Sequence, residues 1–265
     1  MRAPAWWLHE GDAYAWLATC PDKSVDVTLA DPPYDASAHK QQKRLDKGKR
    51  ARGEKGMVAA PLPFEALTES DRALCAQHAV RVTKRWILFF CQVESVHLWI
   101  DVMRAAGAKY IRTLVWVKPD FQPQLSGDRP GTGYEHMVLF HLPHKGRTDW
   151  NGGGRSGVYT FVSKNAERTY EHPSEKPIAL MNALVSDFSR PGEIVLDPFA
   201  GSGTTGASCL RLGRQFRGAE GDPHWASVTR ERLGHESVGL TLREGRSGQR
   251  SLLELLPAPA PLEIG

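Results

Sequence analysis

From about residue 25 to about residue 234 the sequence alternates short apolar runs of strand length with segments whose apolar residues recur every three or four positions. This alternation constrains the fold more than any other feature. A strand followed repeatedly by a helix builds a largely parallel sheet covered on both faces. The pattern predicts strands over residues 25–30, 86–91, 111–117, 137–142, 193–196 and 216–220. The run 86–91 (Trp-Ile-Leu-Phe-Phe-Cys) is continuously apolar and suits a strand buried on both faces. Helices are predicted from near Thr68, with Asp71 as a variant capping box, to about Lys84, and along the stripe Val93, Val96, Ile100 and Met103, closed by Gly107. A third helix follows Pro177 along Ile178, Met181, Val185 and Phe188. Two more are predicted over residues 204–213 and 223–234. Residues 120–133 and 143–171 are rich in Pro, Gly and polar residues and read as loops.

The chain of 265 residues suffices for one such domain with modest insertions and is short for two. Its 41% hydrophobic and 24% charged content excludes a wholly disordered chain. No apolar stretch approaches the roughly 20 residues a bilayer-spanning helix needs. Glu10 and Asp12 follow Trp6, Trp7 and Leu8 too closely for a secretory signal. Cys20, Cys75, Cys91 and Cys209 stand apart from one another, as expected of isolated thiols in a reducing compartment rather than a disulfide framework or zinc site. No metal site is expected. The net charge of +4 is small but uneven. Residues 39–55 hold eight Lys or Arg and two Asp or Glu, which leaves the rest of the chain at net −2. With almost no apolar residue, that window is a solvated basic loop, either a solubility loop or a polyanion contact.

Two motifs carry chemistry. In the first, the strand ending at Asp197 leads through Pro198, Phe199 and Ala200 into Gly201-Ser202-Gly203-Thr204-Thr205-Gly206 and a helix, an arrangement that binds anions at a helix N-terminus. Gly201, Gly203 and Gly206 match the dinucleotide fingerprint literally, and Glu220 lies 19 residues after Gly201, where an acid holds ribose hydroxyls. A nicotinamide-dependent dehydrogenase is therefore one reading. The interposed Asp197-Pro198-Phe199 favours another, because a carboxylate at the strand end suits an ammonium better than a pyrophosphate. S-adenosylmethionine offers an ammonium for Asp197, a carboxylate for the turn amides and ribose hydroxyls for Glu220.

The second motif is Asp31-Pro32-Pro33-Tyr34, directly after the strand at 25–30. The prolines remove N–H donors and leave rigid carbonyl acceptors. The Asp31 carboxylate and the Pro32 carbonyl can grip the two N–H bonds of an exocyclic amino group and localise its lone pair, while Tyr34 stacks on the base. An ordinary Asp-Pro turn is the plain alternative.

Taken together, Asp31-Pro32-Pro33-Tyr34 and Asp197-Pro198-Phe199-Ala200-Gly201-Ser202-Gly203-Thr204-Thr205 resemble the S-adenosylmethionine-dependent amino-methyltransferases of DNA, and their order resembles the permuted β class of that family. Gly11-Asp12, Trp116-Val117-Lys118-Pro119, the run Tyr134 to Phe140, His172-Pro173-Ser174-Glu175-Lys176-Pro177 and Gly218-Ala219-Glu220 extend the resemblance over about residues 8–235. It implies an α/β Rossmann-like methyltransferase fold, with a mostly parallel twisted sheet, helices on both faces and an antiparallel strand near one edge. It implies catalytic roles for Asp31, Pro32, Pro33 and Tyr34. Cofactor contacts are implied for Asp12, His172, Lys176, Asp197, Phe199, Gly201, Ser202, Gly203, Thr204, Thr205 and Glu220, with His172 and Lys176 near the methionine carboxylate. Lys40, Lys43, Arg44, Lys47, Lys49, Arg50 and Arg155 are the candidate DNA contacts.

In that family Asp at the first tetrapeptide position goes mostly with adenine N6 and Ser mostly with cytosine N4. The implied reaction is therefore methylation of the N6 of a flipped-out adenine in double-stranded DNA, with cytosine N4 as the alternative. The implied setting is a bacterial or phage-infected cytoplasm, with no membrane partner. A homodimer and a separate cognate endonuclease, as in restriction-modification, are compatible companions. The expected organisation is one catalytic domain over residues 1–245, containing the basic loop 35–63 and a short target-recognition region 141–171, followed by a loosely held tail 246–265. That recognition region is short for a dedicated sequence reader, and Arg147, Arg155 and Lys164 are its candidate contacts.

Overall fold

The computed structural model describes residues 4–34, 67–121, 123–124, 127–163 and 175–248. Along the chain run β1 (Trp6–Glu10), α1 (Ala13–Thr19), β2 (Val25–Ala30), α2 (Glu69–Val82), β3 (Thr83–Cys91), a short 3₁₀ turn (Val93–Ser95), α3 (Val96–Ala105) and β4 (Lys109–Val117). They are followed by β5 (Tyr134–His141), β6 (Val158–Thr160), α4 (Ile178–Phe188), β7 (Ile194–Asp197), α5 (Thr204–Arg211), β8 (Gln215–Glu220), α6 (Pro223–Ser237) and α7 (Leu242–Arg246). The strands form one eight-stranded sheet in the order β1-β8-β7-β2-β3-β5-β4-β6. Only β5 runs against its neighbours, β3 and β4, and it lies third from the β6 edge.

The alternation of side chains along β3 explains the layers. Trp86, Leu88 and Phe90 point to one face and pack with Leu180, Met181, Leu184, Val185 and Phe188 of α4. Ile87, Phe89 and Cys91 point to the other and pack with Cys75, Ala76 and Ala79 of α2 and Trp99 and Met103 of α3. Because both faces are covered, the strand is apolar at every position from 86 to 91. Thr68 caps α2, and Asp71 completes the reciprocal capping box. Cys75, Cys91 and Cys209 are buried, Cys20 is half-buried, and all four are free thiols.

The predicted strands and helices are present, most with ends displaced by one to three residues. Four elements were not anticipated. β1 carries the doublet Trp6-Trp7 with no clear alternation and is ordered by pairing with β8, from Trp6 opposite Phe216 to Glu10 opposite Glu220. α1 and α7 are too short for a periodic signal. β6 lies inside the predicted loop 143–171 and is only three residues long, held by pairing with Val115 to Val117 of β4.

The connections leaving the two central strands diverge. β2 leads through α2 to β3 on one side, and β7 leads through α5 to β8 on the other. β2 and β7 are adjacent, so their carboxyl ends flank the point where strand order reverses, the place where open α/β sheets form a crevice. Asp31 follows the end of β2, and Asp197 ends β7.

Candidate active site

A cleft of about 670 Å³ opens at this point. The tetrapeptide Asp31 to Tyr34 lines one side; the turn from Asp197 to Thr205, the end of β8 at Glu220 and the start of α1 line the other. Asp12 reaches the cleft because the Gly11 N–H donates to the Glu220 carbonyl at 2.9 Å, which ties the end of β1 to the end of β8. Its side chain caps α1 by accepting from the Ala15 N–H at 2.6 Å.

The glycine turn is fixed from within. Asp197 Oδ1 accepts from the Phe199 N–H at 3.0 Å, and Oδ2 accepts from the Thr205 hydroxyl at 2.6 Å. Glu220 accepts from the amides of Gly201 at 2.8 Å and Asp222 at 2.9 Å. Gly203 caps α5 in the left-handed region, with φ of 81°, and a Cβ there would lie 2.9 Å from Thr229 Cγ2. Behind the turn, buried Arg232 donates at 3.1 Å to Glu175 Oε1, the Ser202 carbonyl and Thr204 Oγ1. Burial pushes the Asp197 carboxyl up to about 7, against the opposing bonds from Thr205 and Phe199. Burial also raises the Glu220 carboxyl, opposed by the amides of Asp222 and Gly201.

Across the cleft, Lys176 Nζ lies 2.7 Å from Asp31 Oδ2, 3.2 Å from Glu135 Oε2 and 3.1 Å from the Tyr34 hydroxyl. Glu135, near the start of β5, is bound on its other oxygen by Lys118, just past the end of β4. β5 runs antiparallel, so its beginning lies at the same sheet edge as the ends of β2, β4 and β7. Asp31 Oδ1 is buried and has no hydrogen-bond partner among the described residues. Burial raises the Asp31 carboxyl, opposed mainly by the Lys176 ammonium. For Lys176 burial works toward the neutral amine, but Asp31, Glu135 and Tyr34 outweigh it and hold the ammonium well above the usual lysine range. Burial would raise Glu135 as well, yet Lys176 and Lys118 pull it below the usual carboxylate range.

The structure thus brings together Asp12, Asp31, Pro32, Pro33, Tyr34, Lys176, Asp197, Phe199, Gly201, Ser202, Thr204, Thr205 and Glu220 around one cleft, with Gly203 in the turn behind them. It places the Lys176 ammonium on Asp31, Glu135 and Tyr34, in the same cleft as the glycine turn. Arg155 lies elsewhere. It is bound to Asp187, at the end of α4, and donates to the Gly152 carbonyl at 3.2 Å, so its guanidinium fastens the 151–160 segment to that helix. The Tyr159 hydroxyl donates to the same carboxylate at 2.8 Å. His172, Lys164, Lys40, Lys43, Arg44, Lys47, Lys49 and Arg50 lie outside the described residues. Roles for Glu135, Lys118, Glu175 and Arg232 were not read from the sequence. Glu135 and Glu175 sit inside motif-like stretches, but nothing local marks which partner they meet.

Seven carboxylates line the cleft (Asp12, Asp31, Asp71, Glu175, Asp197, Glu220 and Asp222) and Lys176 is its one basic side chain among the described residues. Fold and cleft define an α/β domain with an acidic ligand site at its strand switch point, facing a rigid proline-fixed acceptor cluster. A family model described as DNA methylase matches residues 25–231. The chain belongs to this family of N6 and N4 DNA methylases. It is 28% identical over 254 residues to the DNA adenine methyltransferase YhdJ of Escherichia coli strain K12, covering 85% of this chain and 82% of that protein. It is 35% identical over 135 residues to the Type II methyltransferase M.SmaI of Serratia marcescens, covering 47% and 46% of the two chains. The fold is similar to that of the M1.HpyAVI–SAM complex, with TM-score 0.63, 22% identity and coverage of 86% of this chain and 98% of that one. It is also similar to the cytosine-N4-specific PvuII DNA methyltransferase, with TM-score 0.65 and 13% identity over 86% and 88%. Family membership sets aside the dehydrogenase reading of the three glycines. In this chain the third has a packing role, since a Cβ on Gly206 would lie 2.6 Å from Leu233 and 2.9 Å from Phe216.

Proposed function

We propose that this protein methylates the exocyclic N6 of a flipped-out adenine in double-stranded DNA, with S-adenosylmethionine as donor. The observation that carries the reading is Asp31 Oδ1, a buried carboxylate oxygen left without a partner on a residue that lines an acidic cleft. A buried acceptor left unmatched costs roughly 1–3 kcal/mol, which a donor arriving with the substrate recovers.

The residues fit the cofactor. Its ammonium and sulfonium are cationic, and seven carboxylates face the cleft. Asp197 and Glu220 hold the glycine turn and present charge beside it, and the Phe199 ring packs edge-on to Tyr14 at 6.1 Å, forming an aromatic wall. When bound, S-adenosylmethionine supplies an electrophilic methyl group. The protein's own part is acceptance and aim. Asp31 Oδ1 and the Pro32 carbonyl accept from the two N–H bonds of the amino group and draw its lone pair out of conjugation with the ring. Tyr34 offers its ring as a stacking surface. As the new N–C bond forms, the methyl C–S bond would break with a neutral thioether as leaving group; the nitrogen becomes acidic and gives one proton to the Asp31 carboxylate or to water, so no strong base is needed. Flipping the base costs a few kcal/mol, which contacts to phosphate offset.

Asp31 at the first tetrapeptide position and the similarity to YhdJ support adenine over cytosine. DNA as the partner and the cytoplasm as the place of action follow from the same reading. The direct test incubates plasmid DNA with the protein and labelled S-adenosylmethionine, then identifies the nucleosides by mass spectrometry. N6-methyladenine is expected. N4-methylcytosine would move the chemistry to the other base, and no labelled nucleoside at all would refute the proposal.

A further inference from the structure

Lys176 is the one cation among the described residues lining the cleft, and its bonding capacity is already spent. An ammonium has three N–H donors and no acceptor. Here three oxygens surround it: Asp31 Oδ2 at 2.7 Å, Tyr34 Oη at 3.1 Å and Glu135 Oε2 at 3.2 Å. It is buried, and its Nζ also lies 4.9 Å from the centre of the Phe90 ring. A fully committed, buried ammonium is poorly placed to receive a carboxylate from a ligand. It is well placed to hold two parts of the acceptor cluster at once, the Asp31 carboxylate and the Tyr34 ring. Glu135 is held in turn by Lys118, so the arrangement is a chain of alternating charges: Lys118, Glu135, Lys176, Asp31.

We propose that Lys176, supported by Glu135 and Lys118, is a positioning residue for methyl transfer. By engaging Asp31 Oδ2 it leaves Oδ1 as the acceptor presented to the target amino group, and by engaging the Tyr34 hydroxyl it sets the plane on which the base stacks. The role rests on the reading of Asp31 as the amino-group acceptor. The other charged groups facing Asp31 are Glu135 from β5, Lys118 beyond β4 and Asp197 at the end of β7. Two of these are anionic, which leaves Lys176 as the nearest cation favouring the ionised form.

Lys176→Met, Lys176→Arg and Glu135→Gln separate this role from the alternatives. Lys176→Met should lose about 100-fold or more in kcat, the scale expected when a reacting group is misplaced by about 1 Å, with cofactor affinity within twofold of the parent. The acid limb of its kcat–pH profile should lie about 1–3 pH units higher, because Asp31 has lost its neighbouring cation. Lys176→Arg should restore part of kcat and return the limb toward its original place. Glu135→Gln should show a smaller loss of the same kind, and it tests the network should Lys176→Met fail to fold. A loss confined to cofactor affinity, or a parental pH profile in folded Lys176→Met, would overturn the proposal. A measurement independent of turnover keeps it separate from the methylation reading. In ¹³C NMR, the Asp31 carboxyl, assigned by its absence in Asp31→Asn, should titrate at higher pH in Lys176→Met than in the parent. Coincident titrations would overturn the proposal even in a protein that methylates nothing.

Discussion

On the proposed reading, the buried Asp197 carboxylate gives up stability in order to offer charge to the cofactor, and Asp197→Asn tests that exchange. The carboxyl is buried at the end of β7, and its titration lies at about 7 rather than the ordinary 3.8. A displacement of that size corresponds to about 4 kcal/mol. The sign follows from proton binding. Between about pH 4 and pH 7 the folded state holds a proton that the unfolded chain has released, so stability is full below the unfolded value and falls as pH rises through the folded one. At pH 8 the parent carries nearly the whole cost. Asparagine removes the charge and keeps one carbonyl acceptor. It forfeits about 1 kcal/mol of bonding to Thr205 or the Phe199 amide. Asp197→Asn should therefore be more stable than the parent by about 3 kcal/mol at pH 8, a rise in Tm of about 6–12 °C, and nearly equal to it at pH 5. Cofactor affinity should move the other way. If the ionised carboxylate receives the ammonium, about a tenth of the parent is competent at pH 6, and its affinity should drop about tenfold from pH 8. The variant should bind weakly at both values. Calorimetric scans and titrations of both proteins at pH 5, 6 and 8 give all four quantities, and the difference between proteins removes the contribution of every other titrating group. A variant less stable than the parent at pH 8, or one that keeps the parent's pH-dependent affinity, would refute the reasoning.

Asp31→Ala should lose at least about 100–1,000-fold in methyl transfer, the scale of removing one group aimed at developing charge, while cofactor affinity by calorimetry stays within a few-fold. Retained turnover would remove Asp31 from the chemistry. Gly203→Ala places a Cβ 2.9 Å from Thr229 at a φ of 81°, so about 1–3 kcal/mol of stability and at least tenfold in cofactor affinity should be lost; parental values in a thermal scan and a titration would show that the turn does not need glycine. Neutralising Lys43, Arg44, Lys49 and Arg50 should lower the slope of log affinity against log salt for DNA by about 0.9 for each phosphate contact removed. An unchanged slope would mean that these residues never meet phosphate.

The layers of this fold were legible because period carries them. Runs buried on both faces, such as 86–91, and stripes such as Ile178 to Phe188 are visible to local inspection, and their order already implied a parallel sheet. β1 and β6 were illegible for a shared physical reason. Each exists because a partner strand is present, β8 for one and β4 for the other, and a partner more than 40 residues away leaves no trace in a window of ten. The tetrapeptide and the glycine turn were legible because each compresses its function into adjacent residues with unusual backbone demands.

The charge chain behind Asp31 is the opposite case. Its members come from positions 31, 118, 135 and 176, in or beside four different elements, and only the antiparallel return of β5 brings Glu135 to the edge where the parallel strands end. By composition the positive charge of this protein gathers in residues 39–55 and the remainder is slightly acidic, which suggests a simple division between a basic contact for DNA and an acidic site for a cationic cofactor. Lys176 breaks that division. An acidic cleft made only for a cation would need no buried ammonium, and burying one costs several kcal/mol unless anions surround it. On the proposed reading, its place beside Asp31 answers the other demand on the same cleft. If Asp31 is the amino-group acceptor, it has to remain charged close to Glu135 and Asp197, and a fixed positive charge is the direct means of keeping it ionised there.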